Sequence, residues 1–296
     1  MHVVSISLGS SQRNHRTTTT LLGRQVTLER IGVDGDQARA RSLYLELDGK
    51  VDAFGIGGAD LGITVNHRFY PLYSIQKLVQ GLKTPAVDGG VVRSVVERQL
   101  VQRLLPRLPT PLSPQRVLIG TAVARYDLAL SFADAGFQAI YGDLGFGLGM
   151  SIPIRQLSTL NRLARLLLPV MGRLPLAWLY PTGPAQEQIT PKFGAWYAWA
   201  TVIADDFLYI RKHLPDRLDG KTMVTNTTTA ADVELLRTRG LRYLCTTTPR
   251  LEGRTFGTNV IEAALVAIAG KGRALTPAEL HAMLSEDDLQ PTVLAL

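Results

Sequence analysis

The chain has 296 residues, 46% of them hydrophobic and 19% charged, with a formal net charge of +7. A single cysteine, Cys245, excludes an internal disulfide, and no unbroken apolar run of about 20 residues offers a membrane span. Only seven of the 32 basic residues are lysines, and the basic residues are scattered rather than massed in a tail. That distribution argues against a nucleic-acid surface and for an anionic small-molecule partner.

The first strand, "HVVSISLG", follows Met1 with no basic segment and apolar stretch before it, so a cytoplasmic location is expected. The loop "SSQRNHR" then places Arg13, His15 and Arg16 after Ser10-Ser11, either to grip an anion or as a solvated basic loop. "TTTTLLGRQVTLERIG" reads as two β-prone runs meeting in a hairpin at Gly23-Arg24. "DQARARSLYLELDG" reads as a helix ending at Gly49, and "VDAFGIGG" as a buried strand. A second hairpin, "LGITVNHRFYPLY", turns at Asn66-His67. "SIQKLVQGL" is a short helix, "TPAVDGG" a strand, and "VVRSVVERQLVQRLL" a helix with apolar residues at helical spacing. Strands alternating with helices, plus two hairpins, predict a mixed α/β domain over residues 1–105.

"PRLPTPLSP", Pro106 to Pro114, has four prolines in nine residues and reads as an extended linker. Beyond it, residues 115–296 form a βαβ series whose right-handed crossovers imply a Rossmann-like, largely parallel sheet. One of its helices opens with a capping box, Thr229 to Asp232, and stops at Gly240. "NVIEAALVAIAG" reads as a final core helix of this domain, with Asn259 and Glu262 as a second box. The apolar stretch 156–183 is broken by Arg162, Arg165, Arg173, Pro169 and Pro175. It reads as a helical insertion packed between domains or between subunits of a homo-oligomer, with contact to a membrane surface as the less favoured alternative.

Three sets of residues are candidates for chemistry. In the first βα turn of the second domain, "RVLIGTAVARYD", Gly120 takes the first position of a dinucleotide-binding G-x-G-x-x-G turn. Thr121 follows it, Ala122 stands at the second glycine position and Arg125 at the third. Asp143 closes the next strand near the place of a ribose-binding acid. Two further strands end in hydroxyls, "KTMVTNTTT" and "RYLCTTTP". Asn226, Thr227, Thr228 and Thr247 therefore join Gly120, Thr121, Ala122 and Asp143 as a cofactor-binding edge. "IADDF" puts Asp205 and Asp206 at another strand end, where at most one is expected to enter the site as part of the strand. "GDLGFGLGMSIPI" supplies glycines without an expected helix after them, and no metal site is expected. In the first domain Asp60, in "GIGGAD", and Asp88, in "AVDGG", are the candidate proton acceptors.

The motifs "VDAFGIGGADL", "TPAVDGG", "YGDLGFGLG", "LYPTG", "TNTTTAADVELLRTRG" and "TTTPRLEGRTFGTNVIEA" span the whole chain. Together they resemble a bacterial family labelled quinate 5-dehydrogenase, itself distantly similar to shikimate and quinate dehydrogenases. The resemblance implies an N-terminal substrate domain, a C-terminal domain binding NAD or NADP, and oxidation of a hydroxyl on a cyclic polyhydroxy acid. Shikimate dehydrogenases carry an N-V-T-x-P-x-K stretch. Here "GITVNHRF" has Thr64, Val65 and Asn66 in another order and no lysine at the matching place, so no catalytic lysine is assigned. The competing reading is a non-redox protein that binds a phosphorylated or carboxylated metabolite in an interdomain cleft.

Overall fold

The computed structural model describes residues 1–175, 188–226, 228–247, 250–251, 254–255, 257–285 and 290–296. It is an α/β fold with two parallel-rich sheets. The first region comprises β1 (His2–Ser7), β2 (His15–Leu21), β3 (Arg24–Gly32), α1 (Gln37–Leu47) and β4 (Ala53–Gly57). The hairpin β5 (Gly62–Val65) and β6 (Arg68–Pro71), α2 (Tyr73–Val79) and β7 (Ala86–Val87) complete it. Helices α3 (Gly90–Arg98) and α4 (Leu100–Leu104) lead to β8 (Arg116–Ile119), α5 (Tyr126–Asp134), β9 (Gln138–Tyr141), α6 (Asp143–Phe146) and α7 (Leu157–Met171). Then come α8 (Gly194–Trp199), β10 (Val202–Ala204), α9 (Phe207–Lys212), β11 (Thr222–Thr225), α10 (Ala230–Thr238) and β12 (Tyr243–Thr246). A small ladder of β13 (Arg250–Leu251) and β14 (Arg254–Thr255) precedes α11 (Thr258–Ala269), α12 (Pro277–Met283) and β15 (Thr292–Ala295).

The first sheet has the order β2-β3-β1-β4-β7, parallel except for β2. The second has the order β15-β12-β11-β10-β8-β9, parallel except for β15. The inner strands β1, β4, β8, β10, β11 and β12 are covered on two faces, which is why they are buried nearly throughout, whereas the edge strands β2 and β15 are not. Strand β1 alternates accordingly: Val4 and Ile6 join Tyr44 and Ile75 in one cluster, while Val3 joins Val92 and Leu265 in another. In the second sheet Val117 and Ile119 pack toward α4, α5 and α7, and Leu118 packs toward α8 to α10.

Several sequence expectations change in the fold. The first hairpin turns at Leu22-Gly23, both in left-handed conformations with φ of 48° and 72°. The glycine-rich stretch after β9 forms the short helix α6. Segment 106–114 is packed rather than extended into solvent: Leu108 is buried and Thr110 Oγ1 lies 3.3 Å from the Tyr243 hydroxyl. Helix α11, counted by sequence with the second domain, lies against the first sheet, where Ala263, Ala264 and Leu265 join Val3, Val26 and Ala53 in one core. Its expected capping box is absent because the helix begins after Gly257, which puts Asn259 and Glu262 inside it. Asn259 Nδ2 instead donates to Ser5 Oγ at 2.7 Å, and Glu262 Oε2 accepts the Val91 and Val92 amides at 2.9 and 3.0 Å, capping α3. The box at Thr229 and Asp232 forms as read. Within the stretch 156–183, Leu160, Ala164 and Leu168 of α7 pack into the chain's own core, and residues 176–183 lie outside the described residues.

Candidate functional site

The strand orders fix where a site can form. In the second sheet the order reverses between β8 and β10, and in the first between β1 and β4. Chain segments leaving such neighbours part to opposite faces, opening a crevice outside the carboxyl ends of the strands. Both crevices open on one cleft of about 250 Å³, lined by Ser7, Gly57 and Asp60 from the first sheet and by Thr121, Asp205 and Asn226 from the second.

On the first wall, backbones approach closely. A Cβ on Gly57 would meet Ser7 Cβ at 2.7 Å, and one on Gly55 would meet the Asn259 backbone at 3.0 Å. These glycines let α11 and β1 crowd against β4 beside the cleft. Arg30 is oriented by bonds from Nη1 to Ser10 O at 3.0 Å and from Nη2 to Ser7 Oγ at 2.9 Å. Asp60 pairs with Arg93 at 2.8 Å. Asp88 accepts the Leu61 amide at 2.7 Å and the Gly90 amide at 2.8 Å, so both carboxylate oxygens hold backbone. Burial raises the Asp88 pKa and Asp60 adds to it, while Arg93 opposes. Burial acts to lower the Arg93 pKa, and the carboxylates of Asp60 and Asp88 outweigh it, so the net shift is upward.

On the second wall, carboxylates fill the first βα turn. Asp205 is fully buried, and its Oδ2 accepts the Thr121 amide at 2.6 Å and the Thr121 hydroxyl at 2.9 Å. Asp143 Oδ1 accepts the Val123 amide at 2.8 Å. Burial pushes the pKa of Asp205 up to about 6, with Arg125 opposing, and that of Asp143 up to about 7. Asp206 caps α9 through the Leu208 amide at 2.9 Å and accepts Asn226 Nδ2 at 2.7 Å. Tyr209 lines the same cleft; burial raises its pKa, and Asp205, Asp206 and Asp60 add to the rise. A phenol so placed stays protonated and can donate a hydrogen bond.

The two walls are joined beneath the cleft. Arg125 and Glu97, 3% and 1% exposed, pair at 2.5 Å. Burial raises the Glu97 pKa to about 7, against the pull of Arg125 and Arg93. Arg93 and Glu97 stand four apart on one face of α3, so a single helix presents a cation to the cleft and an anion to α5.

Of the residues singled out by sequence, Asp60, Asp88, Thr121, Asn226 and Thr228 line this cleft, as do Arg13 and His15. Gly120 and Ala122 are buried in the turn behind Thr121. Asp143 is not among the residues lining the cleft; its Oδ1 holds the Val123 amide, and its Oδ2 is buried without a hydrogen-bond partner among the described residues. Thr247 is buried at the end of β12, two strands from the reversal at β8 and β10, and its Oγ1 has no hydrogen-bond partner among the described residues. Thr227 lies outside the described residues. Asp205 and Asp206 both reach the cleft, because β10 ends at Ala204, before both of them, and Asp206 becomes a helix cap. The sequence reading missed Arg93, Tyr209, Lys212 and Asn259, which also line it. A signal existed for Arg93: with Glu97 it interrupts the apolar helix "VVRSVVER" at a four-residue spacing.

This turn does not fit a dinucleotide pyrophosphate. The amide of Thr121, which would point at a phosphate, is donated to Asp205, and that of Val123 to Asp143. The space over Gly120 is also taken, since a Cβ there would meet Asp205 Oδ2 at 2.5 Å. Among the described residues, no group of three His, Cys, Asp or Glu side chains is placed to hold a metal ion, and no helix is long and apolar enough to cross a membrane.

A family model described as "Domain of unknown function (DUF8754)" matches residues 91–296, and one described as "Domain of unknown function (DUF8753)" matches residues 2–88. No curated protein matches the chain. Among solved structures, an NAD-dependent malic enzyme from Thermotoga maritima is 13% identical with a TM-score of 0.38, over 95% of this chain and 75% of that one. A glucose-galactose binding protein from Geobacillus stearothermophilus is 8% identical with a TM-score of 0.39, over 99% and 96% of the two chains. The periplasmic binding component of an arabinose transporter from Shewanella sp. ANA-3 is 11% identical with a TM-score of 0.38, over 100% and 92%.

Proposed function

The chain belongs to the DUF8754 family, and we propose that its central cleft binds a small, hydroxyl-bearing anionic metabolite between the two sheets. The observation that carries this reading is the convergence of both strand-order reversals on one cleft, since each is the ordinary ligand position of an open parallel sheet. The polar groups suit such a ligand. Arg13 and Lys212, from opposite walls, have no ion pair among the described residues and would hold the anionic group. Asp60, Asp206 and Asn226 would accept and donate hydrogen bonds at its hydroxyls. Tyr209 would supply a donor that does not ionise near neutrality.

A second reading is NAD(P)-dependent oxidation of a cyclic polyhydroxy acid, favoured by the parallel βαβ order of the second sheet and by the likeness to quinate dehydrogenases. It requires a nucleotide seated away from the turn at Gly120, whose amides are in use. Calorimetric titration with quinate, shikimate and simple sugar acids, and in parallel with NAD(H) and NADP(H), separates the readings. Saturable binding of an acid that weakens in Arg13→Gln and Lys212→Gln supports the first. Tight nucleotide binding with no acid binding in its absence would replace it with the second.

A further inference from the structure

The seam between the β5–β6 hairpin and α7 holds a second cavity of about 160 Å³ that shares no lining residue with the central cleft. Its wall is formed by Val65, Asn66, Arg68 and Tyr70 of the hairpin and by Asn161 and Arg165 of α7. The spacings explain the arrangement. Arg68 and Tyr70 are two apart on β6 and share a face, while Asn161 and Arg165 are four apart on α7 and share another. Val65 and Tyr70 are fastened to α7 through a common core with Leu160, Ala164 and Leu168, so the seam is closed on its apolar side. The polar side carries two guanidinium groups and no carboxylate. Arg68 lies over the Tyr70 ring at 5.1 Å, and neither arginine has an ion pair among the described residues. Asn161 Oδ1 is buried there without a hydrogen-bond partner among the described residues.

Two cations facing one small cavity repel each other, and a buried amide oxygen with no partner is costly. A bound oxyanion relieves the repulsion, since guanidinium groups match phosphate oxygens in geometry and charge. Turned about its last torsion, the Asn161 amide presents donors to the same ligand. We infer that this seam is a second ligand site, for a small phosphate-class oxyanion, either the free ion or the phosphoryl end of a metabolite. Filling it ties the hairpin to α7 by charge as well as by apolar packing.

Calorimetric titrations with inorganic phosphate and with glycerol 3-phosphate, at constant ionic strength, test this. Saturable binding is expected in the unmodified protein and in the central-cleft variant R13Q/K212Q. Arg68→Gln and Arg165→Gln should each weaken it by about tenfold or more, and the double variant should lose it. Tighter binding of glycerol 3-phosphate assigns the site to a phosphorylated metabolite; equal or tighter binding of inorganic phosphate assigns it to the free ion. Both arginines are exposed, so folding should survive, and the single variants decide the matter if the double variant does not fold. The absence of saturable binding by either probe would overturn the proposal. So would binding that persists undiminished in R68Q and R165Q or is lost only in R13Q/K212Q.

Discussion

Asp205 lies over Gly120, its Oδ2 only 2.5 Å from where a Cβ would stand and 2.6 Å from the Thr121 amide. The glycine that resembles a nucleotide-binding position thus admits a side chain of the same protein. Gly120→Ala should push on a carboxylate also held by the Asp206 amide at 2.6 Å, and the new Cβ would meet the Phe146 ring at 3.0 Å as well. We expect a loss of about 1–3 kcal/mol in chemical unfolding. A loss below about 0.5 kcal/mol would mean that the carboxylate moves aside freely.

The same carboxylate should make stability depend on pH. Its folded-state pKa is raised by burial from 3.8 to about 6, so the folded protein holds a proton that the unfolded chain has released. Stability from this group therefore falls as pH rises from about 4 to 6, then levels off, by up to about 3 kcal/mol. Asp205→Asn keeps an acceptor for Thr121 and should flatten that part of the profile. An unchanged slope across unfolding curves measured through this range would place the retained proton elsewhere.

Glu97 and Arg125 should be strongly coupled. Removing either partner strands a buried charge, so Glu97→Ala or Arg125→Met should cost about 3–5 kcal/mol. Replacing both with leucine and methionine should recover much of it, because a filled apolar space has no charge to solvate. A double-mutant cycle in urea reads the coupling directly. Strictly additive losses would show that the two side chains stabilise the fold independently.

The threonines at the strand ends should separate by role. Thr229 caps α10 with its hydroxyl bonded to Asp232 at 2.8 Å, so Thr229→Val should cost about 1 kcal/mol. Thr247 has a buried hydroxyl with no partner among the described residues, and valine has nearly its shape. Thr247→Val should raise stability by about 1 kcal/mol, measured by thermal or chemical unfolding. A loss of stability there would mean that the hydroxyl is satisfied in solution.

Much of the architecture was legible because strand and helix periodicities are local properties. The strands β10, β11 and β12, helix α10 and the box at Thr229 follow from residues within a few positions of each other, whereas α9 begins inside the stretch read as the β10 strand. Which sheet a helix covers is not local. Helix α11 is apolar on nearly all sides, so nothing in its own pattern assigns it to the first sheet. Asn259 and Glu262 have the spacing of a capping box, yet their partners Ser5 and Val91 lie more than 160 residues earlier in the chain. The site was half legible for the same reason. Strand ends place Thr121, Asn226 and Asp60, but only the sheet order tells that Thr228 faces the cleft while Thr247 does not.

The return of α11 and α12 to the first sheet makes the chain pass between the two regions three times: along α3 and α4, between β14 and α11, and between α12 and β15. A fragment ending at residue 105 would carry Val3, Val26 and Ala53 without the helix that shields them, and should be insoluble when produced alone. Supplied with the remainder of the chain in trans, it should be rescued, since α11 would arrive from the other fragment. Relative motion of the two lobes is restricted as well. Each crossing is a covalent tether, so any parting of the lobes that admits a guest has to be accommodated by three segments of the chain at once.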